Sequence, residues 1–218
     1  MGQYALLVEG NDDQDFFKTF SELIGIANVE VIPPKTLDAS TGDGWPNLVK
    51  NLPILLSQIK AGDVDRLGII LDADYPPNNN GGFDKKFQLV ADKLIAVGYV
   101  SNMPRHKLGE IFTHPDGLPP VGLWIMPDHQ SNGMLEGFVE NMVSDAAQIS
   151  LLKHAEKSIN NLPVTLFDNA LHLTKAQIFT WRAWQRRPGI PLNKALHDGI
   201  LDRSKATNFE NWIKQVFK

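Results

Sequence analysis

The chain has 218 residues and a formal net charge of −4 at pH 7, with 43% hydrophobic and 21% charged residues. This composition is typical of a globular protein that can bury a sizeable core, so folding requires neither a structural metal nor a disulfide. The chain has no cysteine, which excludes disulfides, thiolate metal sites and cysteine nucleophiles. Its acidic balance argues against a protein that coats DNA non-specifically.

The N-terminal residues show no signal-peptide pattern, in which a basic segment precedes a long apolar stretch. No apolar run approaches the roughly 20 residues that a membrane-spanning helix requires. The absence of cysteine also fits a reducing compartment. We therefore expect a cytoplasmic protein with no membrane partner.

The first predicted elements alternate between strand and helix. Residues 4–8 form a short β-prone run, followed by a helix with apolar positions at helical spacing that ends at Gly25. A second strand is predicted at 29–32. The turn at 40–46 then leads into another helical stripe, which contains Pro53 as an irregularity.

The alternation continues through the middle of the chain. The clearest strand covers residues 66–74, and its continuous apolar body predicts a sheet that is covered on both faces. An amphipathic helix follows at 83–97. A fourth strand at 121–128 leads through a polar loop into a helix at 134–142. This order predicts an α/β fold with a mostly parallel sheet and helices on both faces.

From about residue 145 the predicted elements are helical. We expect a helical C-terminal extension at 144–218, packed on an α/β domain at 1–143, while one continuous domain remains open. The predicted helices cover residues 146–159, 171–185, 192–201 and 209–217.

Three of the predicted strands end in acidic residues. These acids are Glu9 with Asp13, Asp72 with Asp74, and Asp128 with Glu136 in the helix that follows. Parallel sheets bind ligands at the carboxyl ends of their strands, and alternate strand residues face the same side. Like charges held close repel unless a cation neutralises them, and Mg²⁺ takes oxygen ligands. A site for Mg²⁺ or Mn²⁺ is therefore predicted, with helix capping or solvation as the alternative.

Two of these acidic motifs resemble those of Toprim domains. The stretch Leu7-Val-Glu-Gly-Asn-Asp-Asp13 is similar to the first Toprim motif, and Ile70-Leu-Asp-Ala-Asp74 resembles the Asp-x-Asp motif. The later motif Met134-Leu-Glu136 is similar to the Ser-x-Glu of the OLD (overcoming lysogenization defect) nucleases, with methionine in place of serine. The sequence most resembles small stand-alone Toprim proteins related to the OLD family.

The resemblance implies roles for the acids. Glu9 would be a metal ligand and a general acid or base, while Asp72 and Asp74 would bind the first Mg²⁺ in the catalytic site. The further ligands would be Asp13, Asp128 and Glu136. The implied activity is phosphodiester chemistry on DNA or RNA that depends on Mg²⁺ or Mn²⁺, most concretely that of a nuclease.

The chain lacks the Gly-x-x-x-x-Gly-Lys-Ser/Thr loop of an ATPase. A non-catalytic Toprim scaffold, acting as a binding module or as the subunit of a separately encoded ATPase, is therefore the alternative function. Phosphoryl transfer on a nucleotide is a third possible function. The sequence also leaves open whether the chain forms a homo-oligomer.

Two groups of basic residues are candidates for nucleic-acid contacts. Arg105, Lys107 and His129 are candidates for binding the substrate phosphate, with solvated loops as the alternative. A basic and aromatic patch could bind nucleic acid, although tryptophans at this spacing also pack into cores. The patch comprises Trp181, Arg182, Trp184, Arg186 and Arg187.

Overall fold

A computed structural model describes residues 3–26, 28–76, 81–101 and 108–218 and shows a six-stranded sheet between layers of helices. The strand order is β2-β1-β3-β6-β5-β4. The first four strands in that order are parallel, and β5 and β4 extend the sheet in antiparallel fashion. The predicted α/β fold with a mostly parallel sheet is thus confirmed. The strands are β1 (Gln3–Leu7), β2 (Val29–Ile32), β3 (Val64–Asp72), β4 (Val100–Ser101), β5 (Glu110–Thr113) and β6 (Val121–Met126).

Helices cover both faces of this sheet. They are α1 (Asn11–Leu23), α2 (Pro34–Leu37), α3 (Trp45–Ala61), α4 (Phe83–Ile95), α5 (Leu135–Asn141), α6 (Ala146–Asn160), α7 (Asn169–Ala183), α8 (Leu192–His197) and α9 (Thr207–Phe217). Leu6 of β1 packs with α1, α5 and α9, whereas its neighbour Leu7 packs with α3 and α4. Successive side chains of a strand point to opposite faces of the sheet, and here both faces are covered by helices. Successive residues must therefore all be apolar, which explains the continuous apolar runs.

The C-terminal helix α9 packs directly on the middle of the sheet. At Gly68 of β3, a Cβ atom would lie 3.2 Å from the ring of Phe217, and at Gly122 of β6 it would lie 2.3 Å from Val216. Only glycine leaves room for the helix at Gly122, while a Cβ at Gly68 would press on the Phe217 ring and would lie 2.8 Å from Leu6 of β1. The residues of α6 to α9 belong to the same apolar cluster as β1, β3 and β6, so the sheet and the helical tail share one core.

The short antiparallel strands β4 and β5 are the part of the sheet that the sequence did not predict. β4 has only two residues, and β5 (Glu-Ile-Phe-Thr) has neither a clear apolar run nor an alternation of apolar and polar positions. Among the described residues, no helix combines the length and the apolar character needed to cross a membrane.

Candidate functional site

Glu9 and Asp72 meet at the carboxyl ends of two adjacent strands. β1 and β3 run in parallel with Leu7 opposite Ile69, so the chain brings both acids to one edge of the sheet. Glu9 Oε1 accepts a hydrogen bond from the Asp72 backbone N–H at 2.8 Å, and Asp72 Oδ1 accepts one from the Leu135 N–H at 2.9 Å. One oxygen of each carboxylate is therefore held by the backbone.

Two more acids join this pair from the first turns of neighbouring helices. Asp13 lies in the first turn of α1, and Glu136 lies in the first turn of α5. Together with Glu9 and Asp72 they line a cavity of about 420 Å³, which we call the acidic pocket. The structure thus brings together four of the six predicted metal ligands.

The carboxylates of the acidic pocket are electrostatically strained. Burial and the charge of Asp13 raise the pKa of Glu9 to about 8. Burial and the charge of Glu136 raise the pKa of Asp13 to about 7. Burial, followed by the charge of Glu9, raises the pKa of Asp72 well above its ordinary value. Negative charge at this edge is therefore unfavourable unless a cation compensates it.

Lys175 of α7 brings a positive charge to the acidic pocket. Its Nζ lies 3.5 Å from Glu136 Oε1. Burial acts to lower the pKa of Lys175, but the charge and hydrogen bond of Glu136, together with the charges of Asp72 and Asp12, outweigh it, and the pKa is raised. Sequence reasoning missed this residue because no local motif connects α7 with the strand ends.

Asp74 lies beyond the end of β3 and does not line the acidic pocket. β3 ends at Asp72, and Asp74 adopts a left-handed backbone conformation (φ 57°) with its N–H donating to the Gly133 carbonyl at 2.7 Å. The regular strand alternation that the sequence predicted therefore ends before Asp74, but the charge of Asp74 is close enough to contribute to the raised pKa of Asp72. The charge of Asp74 still contributes to the raised pKa of Glu9.

The side chain of Asp74 pairs with a buried lysine. Lys86 Nζ lies 2.7 Å from Asp74 Oδ2 and 4.1 Å from the centroid of the Trp45 ring, and the Lys86 side chain is fully buried. A signal for Lys86 was present in the sequence. It lies on the apolar face of α4, between Phe83 and Phe87, where an unpaired charge would be unfavourable.

Asp128 lies apart from the acidic pocket. It is exposed, and its carboxylate accepts hydrogen bonds from the backbone N–H groups of Gln130 and Ser131 at 3.1 and 2.7 Å and from Ser131 Oγ at 2.9 Å. Asp128 does not line the pocket that contains Glu9 and Asp72. The expectation that it is a metal ligand is not met, because its carboxylate stabilises the turn after β6.

His129 is buried rather than exposed to a substrate. Only 1% of its surface is accessible, and its Nδ1 accepts a hydrogen bond from the Ile125 N–H at 2.9 Å. The ring packs 5.3 Å from that of Phe83 and 5.5 Å from that of Trp124, between centroids. The expected phosphate contact of His129 is therefore wrong. Arg105 and Lys107 lie outside the residues that the structure describes.

The predicted basic and aromatic patch is divided between core and surface. Trp181 is fully buried and donates a hydrogen bond from Nε1 to Gln148 Oε1 at 2.9 Å. Trp184 is partly exposed and packs against the ring of His154 at 5.3 Å between centroids. Arg186 and Arg187 are exposed. Core packing is thus correct for Trp181, and Arg182 faces a different surface, described below.

The acidic pocket has the donor chemistry of a site for a hard cation. Within the described ranges, no group of three or more His, Asp and Glu side chains is arranged to hold a metal ion. Mg²⁺ often keeps several waters and takes only one or two carboxylates from the protein. Glu9 and Asp72, each with one oxygen fixed by a backbone N–H, fit that smaller requirement.

The sequence model of a family described as "Protein of unknown function (DUF3226)" matches residues 3–218. The match includes the strands and helices that form the acidic pocket. Neither a curated protein nor a solved structure matches the chain.

Proposed function

The chain belongs to this DUF3226 family, whose description names no activity, and from the acidic pocket we propose metal-dependent phosphodiester chemistry on nucleic acid. One observation carries the proposal. Glu9, Asp13 and Asp72 converge where burial and mutual repulsion raise their pKa values. A bound divalent cation would relieve that repulsion, and phosphate esters are the substrates that such cations engage.

In this proposal, Glu9 and Asp72 bind Mg²⁺ or Mn²⁺, and Asp13 and Glu136 hold further charge at the same site. When bound, the cation would neutralise these carboxylates and acidify a bound water. Glu9, whose charge the bound cation would stabilise, is the candidate to accept a proton from an attacking water. Lys175, at the rim of the same pocket, is placed to attract a phosphate.

The resemblance to Toprim domains supports the same function, because both similar motifs contribute carboxylates to the acidic pocket, Glu9 and Asp13 from the first and Asp72 from the second. The most concrete form of the proposed function is therefore a DNA or RNA nuclease that resembles the OLD type. The alternative is a non-catalytic scaffold that serves a separately encoded ATPase. The lack of a preformed three-ligand group among the described residues favours that alternative.

Calorimetric titration of Mg²⁺ and Mn²⁺ into the purified chain tests the proposal. We expect saturable binding that Asp72→Asn weakens at least about tenfold, since even outer-shell changes at metal sites have such effects. Asp128→Asn is the matched control, since it removes a strand-end carboxylate that lies outside the pocket. Cleavage assays with single-stranded and duplex DNA and RNA follow.

Equal cation binding by the wild type and Asp72→Asn would contradict the metal site. Binding without cleavage of any of these substrates, together with co-purification of an ATPase, would favour the scaffold.

A further inference from the structure

One face of α7 carries a cation, an aromatic ring and a second cation in a row. Lys175, Phe179 and Arg182 are spaced at i, i+4 and i+7, which places them on the same side of the helix. At about 1.5 Å of rise per residue, the two cations lie about 10 Å apart along the helix axis with the ring between them. We call these three residues the α7 stripe.

The α7 stripe lines a groove that continues from the acidic pocket. Lys175 borders the pocket itself, and Phe179 and Arg182 border a small cavity of about 50 Å³ that shares lining residues with it. The two cavities share walls formed by Asp12, Leu135 and Glu136. A chain-like ligand that follows the α7 stripe would therefore pass directly into the acidic pocket.

The exposure of Phe179 has no explanation in the folding of this chain. The residue keeps 47% of its surface accessible, although the core next to α7 is well packed around Ile178 and Trp181. The Arg182 guanidinium carbon lies 4.9 Å from the Phe179 ring centroid, and Arg182 Nε donates to the Ile190 carbonyl at 2.6 Å. The guanidinium is thus fixed beside an accessible ring before any ligand binds.

We propose that the α7 stripe binds an unpaired nucleic-acid strand, with a base stacked on Phe179 and the flanking phosphates near Lys175 and Arg182. This inference rests on the proposed function, because it supplies the substrate class of the acidic pocket. Aromatic rings stack on bases of any sequence, while Arg and Lys follow the backbone. In a duplex the base faces are already stacked and are inaccessible to Phe179.

The size of the groove and its charges predict how strand binding depends on base sequence and on divalent cations. A cavity of about 50 Å³ is too small to enclose a base, so binding should be independent of sequence. The same cavity is also lined by Asp12, Asp15 and Glu136, which repel phosphates. Strand binding should therefore strengthen when divalent cations occupy the acidic pocket.

Fluorescence anisotropy with labelled oligonucleotides tests this site. Wild-type protein in Ca²⁺ would be titrated with a single strand and with a duplex of the same sequence. We expect preference for the single strand and a loss of about 5- to 150-fold in its affinity in Phe179→Ala. Phe179→Trp should retain the affinity, because its larger ring also stacks.

Trp184→Ala is the matched control, since it removes another partly exposed aromatic of the same helical region, at a residue outside both cavities. Thermal unfolding of each variant checks that it is folded. Equal affinity of Phe179→Ala and wild type for the single strand, or no wild-type preference over the duplex, would overturn the strand site. Failure of the proposed function has a different signature: strand binding would depend on Phe179, but no cation would bind at Asp72 and no strand would be cleaved.

Discussion

The strand ends at β1 and β3 and the strand end at β6 differ in what surrounds their acids. At β1 and β3, Glu9 and Asp72 are partly buried against each other, and their pKa values are raised. At β6, Asp128 is exposed and accepts three hydrogen bonds from the turn that follows. Position at the carboxyl end of a strand is common to both.

The comparison shows that position alone does not make a binding site. Asp128 is satisfied by neutral donors within its own turn, so a cation has little to add there. The acidic pocket instead concentrates charge that the protein compensates only in part, through Lys175 and Lys86. We call the ends of β1 and β3, where the acids repel one another, the strained end. We call the end of β6, where Asp128 accepts hydrogen bonds from its own turn, the satisfied end.

The largest expected effect comes from removing the buried cation behind the strained end. Lys86→Met should lower the free energy of unfolding by about 3–5 kcal/mol at pH 7, because Asp74 would lose its partner beside Glu9 and Asp72. Lys93→Met, which removes an exposed lysine of the same helix, should change it by less than about 0.5 kcal/mol. Urea denaturation measures both.

Adding Asp74→Asn to Lys86→Met should recover part of the lost stability, because the unpaired charge is then absent. If Lys86→Met were as stable as Lys93→Met, the ion pair between Lys86 and Asp74 would contribute nothing to stability.

The next effect is a pH dependence that belongs to the strained end. The raised pKa values mean that the folded chain binds more protons than the unfolded chain above about pH 4, so stability falls as the pH rises towards 8. In EDTA, the free energy of unfolding should fall by on the order of a few kcal/mol over this pH range. Solvent screening limits the effect, because the carboxylates keep part of their surface in water.

Glu9→Gln keeps an oxygen to accept the Asp72 N–H and removes one charge. It should flatten this pH dependence and raise the free energy of unfolding at pH 8 by about 1–3 kcal/mol. Excess Mg²⁺ should stabilise the wild type more than this variant. The same pH dependence in the wild type and Glu9→Gln between pH 5 and pH 8, or wild-type stability that rises over this range, would contradict the strained end.

The smallest effect is expected at the satisfied end. Asp128→Ala removes the acceptor of three turn hydrogen bonds and should lower the free energy of unfolding by about 1 kcal/mol. The loss should be the same at pH 5.5 and pH 8, and with or without Mg²⁺. A loss that grows with pH, or cation binding weakened by this variant, would place Asp128 with the strained end.

The sequence predicted the convergence of Glu9, Asp13 and Asp72 because parallel strands deliver their carboxyl ends to one edge. It did not predict that β3 ends before Asp74, since that end depends on the bridge between Asp74 and Gly133. Asp128 was misassigned because nearby donors compete for its carboxylate. Lys175 joins the site through the packing of α7, which no local pattern reveals.

The packing of α9 also bears on how the chain is synthesised. The rings of Tyr4 and Phe217 lie 6.1 Å apart, so one face of β1 is covered by a helix that leaves the ribosome about 200 residues later. Until then, the apolar surfaces of β1, β3 and β6 that α9 covers stay exposed. Contacts this distant in sequence form slowly, so the sheet keeps one apolar face in contact with water until α9 has docked.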